Sequence, residues 1–394
     1  MSAPPGVEPE GDFVNADVLD NLADPAVLFF FLGVVIGLIR SNLEIPPAIA
    51  KFCSLYLLLA LGFKGGQALA DAGLSGDGVK VIGAAVVLAL VIPAAWFLVL
   101  RRRIDAFDAA AIAATYGSVS AVTFVTASQF IAARGDAAGG HMTVALVLME
   151  SPAIIMAVLL ATWVRSQLGA SGRSAAVDAS TASVSGSAGA AVAVGAGALA
   201  TTDSRTLVPE APHPSGRRGP EETGHDHTAT PLSIKEVLRE AFTDGAHLLL
   251  IGSMVIGAVS GEKGGKVMDP FVNGIFKGLL AFFLLEMGLL VARQLREVRG
   301  VGPFLVGFGV VVPFVNGALA MTIGWLLGLS VGDLTLLTVL AASGSYIVVP
   351  AVIRYAIPEA RPSRYFTLAL GITFPINIAI GIPLYYWVAT QIAG

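Results

Sequence analysis

Charge is scarce in this sequence. Only 13% of its 394 residues are Asp, Glu, Lys or Arg, where a soluble domain carries about a quarter. Cysteine is nearly missing too: Cys53 stands alone, which excludes an internal disulfide and a cysteine-based metal cluster. No Gly-rich run of the P-loop type occurs, so ATP-driven work by this chain is not expected. No paired catalytic constellation is visible, and the expectation is that the chain is not an enzyme. No basic stretch suggests a nucleic-acid partner. The apolar runs do not alternate, which argues against a transmembrane β-barrel.

What fills the sequence instead is apolar residues, 55% of the total, at a mean hydropathy of +0.78. Runs of 18 or more recur, and crossing a hydrocarbon core takes about 20 residues of helix. The expected class is an all-α polytopic membrane protein. Ten spans are expected, at about 25–41, 46–70, 79–100, 105–134, 140–165, 243–260, 268–292, 301–328, 332–356 and 363–391. The lipid bilayer is therefore the first partner.

The remaining segments read differently. Residues 1–24 are acidic and lack the basic start and short apolar core of a signal peptide, so a flexible tail is expected. Residues 167–231 are rich in Ala, Ser, Gly and Thr and poor in large apolar side chains, the composition of a disordered linker. In PLSIKEVLREAF, Ser233 and Glu236 have capping-box spacing, and Ile234, Val237, Leu238 and Phe242 share a helical face. A short interfacial helix over 232–242 follows. A GHDH run at 224–227 lies in the linker without further ligands and is not read as a metal site.

Counting loops alternately, Arg101, Arg102, Arg103, Arg293, Arg296, Arg299, Arg361 and Arg364 fall on one side. The other has only Lys80, Arg134, Lys263 and Lys266. The positive-inside rule then puts both termini outside the plasma (inner) membrane and the linker in the cytoplasm.

The chain resembles itself. LFFFLGVVIGLI (28–39) compares with HLLLIGSMVIGAV (247–259), and TVALVLMESP (143–152) with TLALGITFP (367–375). Pro47 lies 223 residues before Pro270, and Thr143 lies 224 before Thr367. The repeats run from 25 to 166 and from 243 to 394. Five spans in each, with one cytoplasmic connection, force the halves to insert upside down to each other. Such inverted repeats belong to secondary transporters, whose sites lie at interrupted helices near the midplane.

Two spans look interrupted, the fourth at TYGSVSAVT (115–123) and the ninth at ASGSYIVVP (342–350). Non-helical backbone at membrane depth survives only where protein covers it or a wet cavity adjoins it. Half-helices meeting there would aim free N–H groups and positive dipole ends at one point, which suits an anion. Gly117, Ser118, Ser120, Thr123, Ser343, Gly344, Ser345 and Tyr346 are the candidate substrate residues. Close helix packing is the competing use of such small residues. Ser118, Ser345 and Glu150, a carboxylate inside the fifth span, are the candidate ligands of a sodium ion. Glu286 is a weaker candidate of the same kind. Lys64 is expected to snorkel or pair with a carboxylate, and Asn316 to make a helix–helix hydrogen bond.

GLLAFFLLEMG (278–288), PFVNGALA (313–320), LAASGSYIVVPAVIR (340–354) and the stretch 357–386 resemble the sodium-dependent bicarbonate transporter family, as do GFKGGQALA (62–70) and YGSVSAVTF (116–124). The likeness covers both halves, without the N-terminal tail and the linker. It implies a ten-span inverted-repeat carrier, generally trimeric, with bicarbonate between two broken helices and sodium nearby as the coupling ion; no other cofactor is implied. It also implies a PII-like regulator at the cytoplasmic face, although this linker differs in composition. Tyr346 stands where the cyanobacterial members have Asp, and Glu150 where they have Asp. The expected function is sodium-coupled bicarbonate import by alternating access. The alternatives are a sodium- or proton-coupled carrier of another small organic anion, or a non-transporting membrane sensor or scaffold.

Overall fold

The computed structural model describes residues 23–73, 76–184 and 245–394. The chain is helical, and there is no strand among the described residues. The helices are α1 (Pro25–Leu38), α2 (Pro47–Ala72), α3 (Gly76–Leu100), α4 (Ala106–Gly117), α5 (Ala121–Ala133) and α6 (His141–Val184). After the undescribed segment come α7 (Gly245–Asp269), α8 (Phe276–Val301), α9 (Pro303–Leu326), α10 (Val331–Ala342), α11 (Val348–Ala356) and α12 (Pro362–Ala393). A π-helical turn, Pro270–Gly274, joins α7 to α8, and two more lie within α12.

Helix starts follow from capping chemistry. The Asp24 carboxylate accepts from the Ala26 N–H at 2.8 Å, with Pro25 in the first turn of α1. Asp105 caps α4, Ser120 caps α5 and Ser330 caps α10. Gly261, at φ 58, breaks α7 before its charged end, so the apolar part of that helix closes near the expected boundary at 260. The fourth and ninth apolar stretches are each in two pieces.

Seven helical stretches are long and apolar enough to cross a membrane; Pro25–Leu38 and Val331–Ala342 are shorter apolar helices. Side chains such as Leu28, Val87, Val91, Ile256, Val311 and Leu326 stand exposed on the outer faces. In water such surface would be a liability; against lipid tails it is the expected finish.

α1 runs along α8 and α2 along α7, while α4 packs on α3 and α10 on α9. Exchanging the two halves turns each of these pairings into its counterpart. The closest approaches depend on glycine: a Cβ on Gly288 would sit 2.1 Å from the Phe30 carbonyl oxygen, and one on Gly66 1.9 Å from that of Met254. Small residues bring the backbones this near where lipid offers no hydrophobic drive for association.

Boundaries differ from expectation at two places: the seventh span, expected over 268–292, where α8 runs from Phe276 to Val301, and the start of the linker. The linker was expected from 167, yet α6 continues to Val184. Alanine is the best helix former, and the run GASGRSAAVDASTASV has enough of it to carry the helix on without any apolar face. The rest of the linker, the N-terminal tail up to residue 22 and the interfacial helix at 232–242 lie outside the described residues.

Candidate functional site

Both broken spans are interior. Within Ala106–Ala133, 94% of the most apolar window is buried, and every described side chain of α10 from Gly332 to Ala342 is buried. Their polar centres therefore turn away from lipid: Ser118, Ser120, Ser343 and Ser345 are all under 5% exposed.

Both breaks begin with extended backbone, Ser118 at φ -99, ψ -179 and Ser343 at φ -91, ψ 165. They are stitched to each other. The Ser120 N–H donates to Ser343 Oγ at 2.9 Å, and the Ser345 N–H donates to the Thr115 carbonyl at 2.9 Å. The Ser343 hydroxyl in turn donates to the Leu340 carbonyl at 2.9 Å. Asn377 of α12 then donates to the Ala342 carbonyl at 2.9 Å, covering the end of α10. These contacts satisfy groups that interrupted helices leave open, as burial demands.

The second half-helices begin beside the stitch. Ser120 Oγ accepts from the Thr123 N–H at 3.2 Å, and Ser345 Oγ accepts from the Val349 N–H at 3.3 Å. Beyond those bonds, the earliest amides of α5 and α11 have no intrahelical partners, as at any helix start. Both starts border one cavity. Val119, Ser120, Ala121 and Val122 line it on one side and Ser345, Tyr346 and Ile347 on the other, with Ser54 and Glu150 adding polar atoms. Leu57, Leu58, Leu146, Leu250 and Phe283 complete a largely apolar wall. Centres of water-sized spheres can occupy about 60 Å³ of it. One water needs about 10–15 Å³ by that measure, so a small polyatomic ion fits.

The expected site residues separate into two groups. Ser120, Ser345, Tyr346 and Glu150 line the cavity. Gly117, Ser118, Thr123, Ser343 and Gly344 stand behind it. Gly117 packs against Pro93 of α3, and Gly344 lies in ordinary contact with Ala369. Thr123 bonds to Ser120 Oγ through its hydroxyl at 2.9 Å. Ser118 Oγ is buried without a hydrogen-bond partner, next to the C-terminal, negative end of α4. The Tyr346 hydroxyl lies toward Ser120 without a hydrogen bond of full geometry. Its ring meets Phe374 edge-on, centroids 5.4 Å apart.

Among the other ionisable candidates, Lys64 places its ammonium 4.4 Å from the Phe276 ring centre. It also lines a second cleft of about 270 Å³, with Ser128, Gln129, Asp136 and Thr143. Val125 borders both spaces. Asn316 makes the expected helix–helix bond, accepting from Trp96 Nε1 at 2.8 Å. One Glu286 carboxylate oxygen is buried without a hydrogen bond.

The sequence reading passed over Asn377, although an amide in the apolar run TFPINIAIG is a signal in itself. It also passed over Asp108, Asp333 and His141. Each resembles an ordinary charge near a helix end, and only the fold reveals its burial.

A family model described as the Na+-dependent bicarbonate transporter superfamily matches residues 25–390. A search among curated proteins gave no match.

Proposed function

The chain belongs to the Na+-dependent bicarbonate transporter superfamily, and from that premise we propose that it imports bicarbonate together with sodium by alternating access. The observation that carries the proposal is the convergence of the α5 and α11 starts on one buried cavity with hydroxyls around it. First-turn amides and positive dipole ends favour an anion there. Ser120, Ser345 and Tyr346 supply hydroxyl donors, and Tyr346 can bond an anion where a carboxylate would repel it. Ser118 Oγ, the carbonyl ends of α4 and α10, and Glu150 are oxygen donors suited to sodium. Gly117, Thr123, Ser343 and Gly344 shape and hold the crossing.

Coupling has an energetic reason. Moving one negative charge into a cell held at -100 mV costs about 2.3 kcal/mol. One sodium ion travelling with each monoanion cancels that term and adds its own gradient. We place both termini outside and the 167–231 linker in the cytoplasm, following the arginine distribution. The paired packing of α1 with α8 and α2 with α7 supports an inverted repeat, and a homotrimer is the assembly the resemblance suggests.

The apolar wall favours a second cargo, a small carboxylate with a short hydrocarbon tail, bound through the same amides. Proteoliposomes holding the purified protein separate the readings. Under an inward sodium gradient they should accumulate labelled bicarbonate, and without sodium they should not. Ser345→Ala should cut uptake by about ten-fold, the effect of roughly 1.4 kcal/mol of lost interaction. Tyr346→Phe should raise the KM and leave folding intact. Sodium-driven uptake of small monocarboxylates in place of bicarbonate would move the assignment to the second cargo. Sodium-independent uptake would remove the coupling.

A further inference from the structure

Asp108 and Asp333 occupy the first turns of α4 and α10, each three residues beyond the capping residue, Asp105 and Ser330. Their side chains are buried, at 1% and 8% exposure. Burying a carboxylate is expensive unless it is paired and hydrogen-bonded; here each accepts a backbone N–H and faces a basic side chain, Arg364 with a full hydrogen bond and His141 without one. Asp108 Oδ1 accepts the Arg361 N–H at 2.8 Å, and Asp333 Oδ1 accepts the Gly139 N–H at 2.8 Å. Asp108 Oδ2 lies 2.9 Å from Arg364 Nη1, and Asp333 Oδ2 lies 3.1 Å from His141 Nε2. Arg361 Nε adds a third contact to Asp108 at 3.3 Å from an exposed side chain. Gly139 and His141 begin α6; Arg361 and Arg364 begin α12. Each broken span is thus tied to the last helix of the opposite half.

We propose that Asp108 and Asp333 are positioning residues of the carrier, a reciprocal pair of braces that keep the two broken spans crossed. Each sits nine residues from the end of its half-helix, about 14 Å along the axis. The braces therefore act on the solute only through the crossing. A half-helix with a loose far end samples arrangements in which the Ser120–Ser343 and Ser345–Thr115 bonds are open. The assembled fraction then sets the apparent affinity, because a solute that binds only the assembled state must draw the rest toward it.

The inference rests on the transport reading for its uptake arm alone. Hydrogen exchange on the purified full-length protein needs no cargo. Asp108→Asn and Asp333→Asn should speed amide exchange at 118–120 and 343–347 by about ten-fold, and Glu at either position should restore much of the protection. In vesicles both Asn variants should raise the KM for the bicarbonate ion by about three-fold or more at an unchanged maximal rate per folded carrier. Unaltered exchange at the crossing in the folded Asn variants would overturn the proposal. So would loss of folded protein without any change in KM. If wild-type vesicles move no bicarbonate, the cargo is wrong and the exchange arm alone decides the braces.

Discussion

Gly117 and Gly344 look equivalent in the sequence, each beside serines at the centre of an interrupted span, and the fold separates them. A Cβ at 117 would lie 2.6 Å from Pro93 Cδ, while one at 344 would find its nearest atom, Ala369 Cβ, at 3.5 Å. Gly117→Ala should therefore lower stability by about 1–3 kcal/mol through overpacking. Gly344→Ala should stay within about 0.5 kcal/mol. Thermal unfolding of both variants in detergent checks the contrast; equal losses would mean that the α3 contact is not what Gly117 serves. Ser345 combines two tasks that a single substitution removes together. Its hydroxyl accepts the Val349 N–H and lines the cavity, so Ser345→Ala should cost about 1 kcal/mol for the lost hydrogen bond besides its effect on uptake. Tyr346→Phe isolates the cavity task, since the ring keeps its contact with Phe374.

Among the elements, α1 packs along α8 and α2 along α7. Each pair closes over a glycine that admits no Cβ: Gly288 against the Phe30 carbonyl, and Gly66 against that of Met254. Gly288→Leu should separate α1 from α8 and lower the melting temperature by several degrees, as about 1–3 kcal/mol of overpacking implies. Gly278→Leu, on the same helix with nothing near its Cβ direction, is the control and should not. The spans were legible because a chain this poor in charge could not keep such long apolar runs soluble outside a bilayer. The breaks were legible because Gly-Ser-Val-Ser in the fourth span and Ser-Gly-Ser in the ninth are poor choices for a lipid-facing helix. The partition of the serines was not legible. Which hydroxyl faces the cavity and which stitches the crossing depends on a rotation that a run of small residues leaves open. Nor could Asp108 and Asp333 be singled out, because their partners lie over 190 residues away in the chain. The C-terminal extension of α6 was missed for another reason: low apolar content argues against packing, but alanine favours helix without packing.

At the scale of the whole molecule, the two halves share one crossing and are tied across it. Ser120 bonds Ser343, Ser345 bonds Thr115, Asp108 holds the start of α12 and Asp333 the start of α6. The cleft around Lys64 shares Val125 with the crossing cavity. The most direct test is an experimental structure determined with bicarbonate and sodium present. A small planar anion should lie within hydrogen-bond distance of the first amides of α5 and α11, between Ser120 and Tyr346. A crossing cavity without solute, with the anion held instead in the Lys64 cleft, would contradict the account.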